Sequence, residues 1–242
     1  MIDRILATKR QEVEGLRGKG LPPRTRPIVP LAFEGPINII AELKRKSPSA
    51  GFIAPIRPER LNTYSKYAKA ISVLTDRTYF GGSPEFLEEV AARTPLPVLY
   101  KDFIIDPVQI DLAYAMGADM VLLIIRILDE EQLAALHSHA RDLGLACLME
   151  VHRKEELALI DDLDCPVVGV NARDLDTLRI DLEGAADILR AVTAPIRVAE
   201  SGIKTRKDME GMAACGANGF LIGETLMRSE DLEATFQELL HG

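Results

Sequence analysis

From residue 37 onward the chain keeps a regular beat, with short apolar runs separated by longer, charged, amphipathic stretches. The apolar runs are INIIAEL (37–43), AISVLT (70–75), PVLYKDF (97–103) and MVLLII (120–125). ACLMEV (146–151), VVGVNA (167–172), IRVAES (196–201) and GFLIGE (219–224) follow. Between them PEFLEEVAART, DEEQLAALHSHARDLG, RKEELALIDDL and TRKDMEGMAACG have helical spacing, and EDLEATFQELL closes the chain. Several of these stretches stop at a glycine (Gly117, Gly144, Gly216), as helices often do. Strands apolar on both faces that alternate with helices predict a parallel sheet covered by helices. Eight such units predict a (β/α)8 TIM barrel. A doubly wound open sheet competes, but it usually has a glycine-rich phosphate turn after its first strand. Here that strand runs into KRKSPSAG, which has no GxGxxG.

Residues 1–36 precede this beat. Ile2, Ile5, Leu6, Val13 and Leu16 predict a short amphipathic helix, and LPPRTRPIVP reads as a linker or irregular cover segment. The expected organisation is one (β/α)8-barrel domain over residues 1–242, with 1–36 as its N-terminal extension. The first twenty residues are charged throughout and lack the apolar core of a signal peptide. The longest apolar run, 120–125, is too short to span a bilayer. A soluble, cytoplasmic protein is expected.

Charge narrows the partners. With 29 basic and 37 acidic residues the formal net charge is −8, which argues against nucleic acid or an anionic membrane surface as partner. A small anionic ligand stays open, because a local cluster such as KRK opposes the global field. Cys147, Cys165 and Cys215 show no CxxC spacing and read as free thiols rather than a disulfide framework or zinc site.

A barrel carries its chemistry at the carboxyl ends of its strands. Those ends hold Glu42 and Lys44, Thr75, Lys101 and Asp102, Glu150, Asn171 and Arg173, and Glu200 and Ser201, whereas the strand starts hold almost nothing ionisable. Residues i and i+2 share a strand face. Glu42 with Lys44, Leu99 with Lys101 and Phe103, Leu148 with Glu150, and Gly169 with Asn171 and Arg173 are therefore expected to emerge together at the mouth. Two lysines and three carboxylates in one confined site suit acid–base work. Arg173 could instead pair with Asp174 or Asp176, and Arg45 and Lys46 could be solvated neighbours. The loops after strands seven and eight, ESGIKT and LIGETL, place Gly202 and Gly223 where this fold commonly holds a phosphate, with Ser47 and Ser201 as hydroxyl donors. His137 and His139 do not share a helix face and read as exposed. His152 reads as a surface residue ahead of a loop base, and His241 lies in the tail. No metal-ligand spacing or nucleophilic triad is apparent.

IIAELKRKSPSAG, SVLTDRTYFGGS, VLYKDFIIDPVQI, GADMVLLI, LMEVH, VGVNARDL, VAESGI and FLIGETLM together resemble the indole-3-glycerol-phosphate synthase family of tryptophan biosynthesis, in order from about residue 37 to 228. The first 36 residues are similar only loosely, and relatives usually carry a longer helical extension there. The resemblance implies ring closure of 1-(2-carboxyphenylamino)-1-deoxyribulose 5-phosphate to indole-3-glycerol phosphate, with loss of carbon dioxide and water and without metal or organic cofactor. It implies Lys101 as the acid at the ribulose carbonyl, Glu150 as general base, and Lys44 as a candidate acid for dehydration. The sequence leaves open how the two lysines divide the acid steps. Glu42, Asn171 and Glu200 match polar residues around the reacting centre, and Arg173 is similar to the residue near the anthranilate carboxylate. Phe80, Phe103, Leu122, Leu175 and Leu221 would form the aromatic pocket. Ser47, Ser201, Gly202, Gly223 and Glu224 match the phosphate region. Ala172 stands where relatives often have a polar residue and should face the helix shell. The family-weighted expectation for assembly is a monomer. The competing readings are another phosphate-binding barrel, such as a lysine Schiff-base aldolase, and a non-catalytic ligand-binding barrel.

Overall fold

The computed structural model describes residues 1–48, 51–55 and 59–242; Ser49 of the AELKRKSPS motif lies outside them. Eight parallel strands close a barrel in chain order: β1 (Asn38–Leu43), β2 (Ala70–Leu74), β3 (Val98–Lys101), β4 (Met120–Ile124), β5 (Ala146–Val151), β6 (Val167–Asn171), β7 (Ile196–Glu200) and β8 (Gly219–Ile222). β1 closes the ring, pairing with β2 on one side and with β8 on the other. All eight predicted runs are strands. Ile40, Leu99, Met120, Leu122, Leu148, Val167, Val198 and Leu221 fill the interior as one cluster, and the alternate residues pack outward on the helices. Ala172 belongs to that outer layer. Each buried Leu or Ile contributes about 2 kcal/mol, so a filled interior can offset the cost of buried charges above it.

The helices are α1 (Ile2–Leu16), α2 (Glu59–Tyr67), α3 (Pro84–Ala91), α4 (Pro107–Ala115), α5 (Glu130–Asp142), α6 (Leu182–Leu189), α7 (Arg206–Ala214), α8 (Glu224–Arg228) and α9 (Leu232–His241). Several start on side-chain caps, such as Ser83 and Asp106 followed by proline, or Thr205 in a capping box. RKEELALIDDL departs from its helical pattern and forms only a six-residue 3-10 turn, Lys154–Leu159. Asp161, Asp162 and Asp164 follow it, and carboxylates at a helix C-terminus oppose the helix dipole. Among the described residues, no helix is long and apolar enough to cross a membrane.

The extension runs from the barrel mouth to its floor. α1 sits at the mouth, where Ile5 joins the inner cluster beside Phe103 and Ile124. The irregular segment after it is tied down at the strand starts. Arg24 and Arg26 pair with the fully buried Asp119, just before β4, and Asp119 also accepts the Val29 and Val98 N–H groups. Phe33 seals the floor under Gly219, where a Cβ would lie 2.5 Å from its ring. The strand starts are therefore not free of ionisable groups: Asp119 is there because the extension supplies its arginines.

Candidate active site

The barrel stagger decides which strand ends meet. Glu150 lies opposite Gly169, and Asn171 opposite Glu200, so β5, β6 and β7 present their polar ends side by side. A cavity of about 480 Å³ opens at this end of the barrel. Every residue expected of the site lines it. Glu42, Lys44, Lys101, Glu150, Asn171 and Glu200 form its polar part. Phe80, Phe103, Leu122, Leu175 and Leu221 form its apolar part, and Arg173, Ser47, Ser201, Gly202, Gly223 and Glu224 lie around them.

The centre is a buried ion cluster. Lys101 Nζ lies 2.9 Å from Glu150 Oε2 and 3.2 Å from Glu200 Oε2. Burial alone would lower the Lys101 pKa, but Glu150, Glu200 and Glu42 outweigh it and raise it, so the group is an ammonium at neutral pH. The two carboxyls diverge. Burial would raise Glu150, yet Lys101 and His152 hold it down at about 2. Glu200 is pushed up to about 8 by burial and the nearby Glu150 charge, against the pull of Lys101. The pair therefore shares one proton around neutral pH, with burial beside the Glu150 charge favouring protonated Glu200.

A second pair sits on β1, where Lys44 Nζ lies 2.6 Å from Glu42 Oε1. Glycines make room for both groups. A Cβ on Gly169 would lie 2.1 Å from Glu200 Oε1, and one on Gly223 would lie 2.3 Å from Glu42 Oε1 and 3.0 Å from Lys44 Nζ. In the sequence Gly223 stands out only as a phosphate-loop residue; its close approach to Glu42 and Lys44 is an additional constraint.

At the rim, Phe80 and Phe103 face each other with ring centroids 6.1 Å apart. Arg173 forms no carboxylate pair among the described residues: it donates to the Leu178 carbonyl, while Asp174 and Asp176 bind Arg126. Its charge is available to the cavity. Ser201 and Gly202 have φ of 66° and 80°, and for serine that left-handed conformation is strained. Glu224 turns to Arg228, 2.9 Å away. Arg45 stacks on Phe86 and Lys46 donates to the Thr78 carbonyl, so both pin the β1 loop rather than standing as solvated neighbours.

Two histidines differ from expectation. The His152 side chain is buried, with Nε2 3.4 Å from Glu150 Oε1. The signal was its spacing, since Leu148, Glu150 and His152 share one face. His137 is also buried, on the α5 face that carries Leu133, Leu136 and Ala140, and burial lowers its pKa. His139 pairs with Asp111 at a partly exposed site. The three cysteines are free thiols.

An ammonium between two carboxyls of opposite protonation state, at the carboxyl end of a closed parallel barrel, places the chain among the acid–base (β/α)8-barrel enzymes. Sequence comparison narrows the class. The indole-3-glycerol phosphate synthase family profile matches residues 3–239. The chain is 40% identical over 252 residues to the indole-3-glycerol phosphate synthase of Exiguobacterium sibiricum, covering 100% of this chain and 97% of that protein. It is 41% identical over 248 residues to that of Geobacillus sp., covering 99% and 96%. The chain belongs to the indole-3-glycerol phosphate synthase family. Solved structures share its architecture. 3-Hexulose-6-phosphate synthase from Salmonella typhimurium aligns with TM-score 0.69 at 12% identity, covering 84% of this chain and 96% of that one. A mutant tryptophan synthase α-subunit from Pyrococcus furiosus aligns with TM-score 0.65 at 18% identity, covering 86% and 99%. At such identities these two likenesses show the fold alone.

Proposed function

We propose that Lys101 and Glu150 are the acid and base with which this chain performs its family's reaction, closing the indole ring of 1-(2-carboxyphenylamino)-1-deoxyribulose 5-phosphate. The observation that carries this reading is the Lys101 ammonium held between Glu150 and Glu200 inside the cavity. The anthranilate ring carbon attacks the ribulose carbonyl carbon, and the carbonyl electron pair moves to oxygen, which takes a proton from Lys101. The carboxylate leaves as carbon dioxide and its bonding electrons restore the aromatic ring. The new hydroxyl then leaves as water with a proton from Lys44, while Glu150 removes the proton that must go for the indole double bond to form.

Donation by Lys101 also prepares the base. The Lys101 charge is what chiefly holds the Glu150 pKa down, so an ammonium that has given up its proton leaves Glu150 more basic. Glu42 orients Lys44, and Asn171 and Glu200 face the substrate hydroxyls. Phe80, Phe103, Leu122, Leu175 and Leu221 enclose the aromatic ring, and Arg173 meets its carboxylate. The phosphate sits by Ser47, the Ser201–Gly202 backbone and Gly223, with the Glu224 carboxylate turned away.

The cell compartment we infer is the cytoplasm, consistent with three unbridged thiols. We infer a monomer, since the exposed large hydrophobics are few among the described residues: Met1, Phe52, Leu159 and Ile180. Adding the carboxyphenylamino substrate to purified protein should produce indole fluorescence, and the chain has no tryptophan to mask it. A folded protein that gives no signal would contradict the assignment.

A further inference from the structure

Among the described residues, the most deeply buried cation outside the reacting centre belongs to the N-terminal extension. Lys9 is 1% exposed, and its Nζ lies 2.8 Å from Asp76 Oδ2, 2.7 Å from Asp102 Oδ1 and 2.7 Å from Glu12 Oε2. Ile5, Lys9 and Val13 recur every four residues on the buried face of α1, so helix geometry aims the ammonium inward. Burying it is expensive, and an apolar side chain of that length could hold the helix on the barrel without that cost.

The two buried carboxylates explain why a cation is there. Asp76 follows β2, and its Oδ1 accepts the N–H groups of Tyr79 (2.5 Å) and Phe80 (3.0 Å). It thereby fixes the turn that aims Phe80 into the cavity. Asp102 stands between Lys101 and Phe103; it accepts the Phe103 N–H at 2.8 Å and the Thr75 hydroxyl at 2.9 Å. Each carboxylate therefore holds one of the two aromatic rings at the rim. α1 reaches the same turn again through Tyr79, whose hydroxyl meets Thr8 Oγ1 and the Arg4 carbonyl, both at 3.1 Å.

We propose that Lys9 is a positioning residue for the active site: its ammonium ties Asp76 to Asp102 and so sets the spacing of Phe80 and Phe103 around the substrate's ring. The extension then shapes the binding pocket from behind as well as bordering the mouth. Burial raises the Asp102 pKa even with Lys9 beside it, so without Lys9 the pair loses the ammonium that bridges it, and the spacing of the two segments is no longer fixed. The proposal rests on the cavity being the active site.

Kinetics of Lys9→Met and of Lys9→Met/Asp76→Asn, at a temperature where circular dichroism shows folded protein, test it. The double variant keeps an acceptor for the Tyr79 and Phe80 N–H groups and restores the local net charge, so it reads positioning even where the single variant does not fold. Both variants should show KM raised about 10-fold with a smaller fall in kcat, the consequence of misplaced contacts rather than lost chemistry. Introduced into Phe80→Ala, Lys9→Met should raise KM by less than it does in the wild-type background, because one of the two rings it positions is gone. Wild-type constants in the folded double variant, or an undiminished KM effect in the Phe80→Ala background, would overturn the role of Lys9. An inactive wild-type chain would overturn the reaction itself, and this proposal with it.

Discussion

Lys101 Nζ and Glu150 Oε2 stand 2.9 Å apart, on neither the same nor adjacent strands but across the barrel mouth from β3 to β5. The charge on one sets the basicity of the other, and burial beside Glu150 favours the protonated form of Glu200. Glu150→Gln keeps the shape and removes the base. Steady-state kinetics should show kcat falling by about 10²- to 10⁴-fold, the range of general-base contributions, with KM changed little. A rate near wild type would mean that another group takes the proton.

The pH dependence follows from Glu200. Its carboxyl is raised from 4.5 to about 8, so the folded chain binds more protons than the unfolded one between those values. Its contribution to stability is therefore fully present below about 4.5 and lost as pH rises through about 8. Glu150 has the opposite sign: its contribution is present above 4.5 and is lost as pH falls through about 2. Ionisation of Glu200 adds a second negative charge beside Glu150, so kcat/KM should decline on the alkaline side near pH 8. Glu200→Gln, which mimics the protonated form, should move that decline to higher pH. A pH–rate profile with the same alkaline limb in the variant would contradict the shared proton.

Gly169 makes the cluster possible. In Gly169→Ala the new Cβ would occupy space 2.1 Å from Glu200 Oε1, so the carboxyl must move and Lys101 with it. A fall of about 100-fold in kcat/KM is expected, typical of a displacement of about 1 Å in a catalytic group. Circular dichroism should show the barrel intact. Wild-type kinetics would show that Glu200 can relocate at no catalytic cost.

Lys44→Ala should both weaken binding and slow turnover, by about 30-fold together in kcat/KM for a lost charge-assisted hydrogen bond of about 2 kcal/mol. A change in kcat alone would restrict Lys44 to the dehydration step. Borohydride trapping with substrate present should leave both lysines unmodified in mass spectra. A reduced adduct on Lys44 or Lys101 would favour the Schiff-base reading.

The eight strands were legible because double-sided burial and helical periodicity alternate without interruption, and the polar strand ends were legible because parallel barrels confine their chemistry there. What stayed hidden depends on contacts between distant segments. Lys9 looks like any charged helix residue until Asp76 and Asp102 are folded beside it. Asp119 needs Arg24 and Arg26 before burial makes sense of it. His137 reads as exposed when compared only with His139, and His152 reads as a surface residue, although the spacing of each matches a buried face. In RKEELALIDDL the periodicity was right for a helix, and the run of aspartates after it worked against one.

Lys101→Ala tests the central claim most directly. Fluorescence of the indole product, followed with substrate at saturation, should show kcat reduced by at least about 10³-fold, since one side chain supplies both the proton and the charge stabilisation of cyclisation. Calorimetry should show affinity for the product within about 3-fold of wild type, because that loss belongs to the reaction and not to uniform binding. Turnover near the wild-type rate in the folded variant would contradict Lys101 as the acid of ring closure.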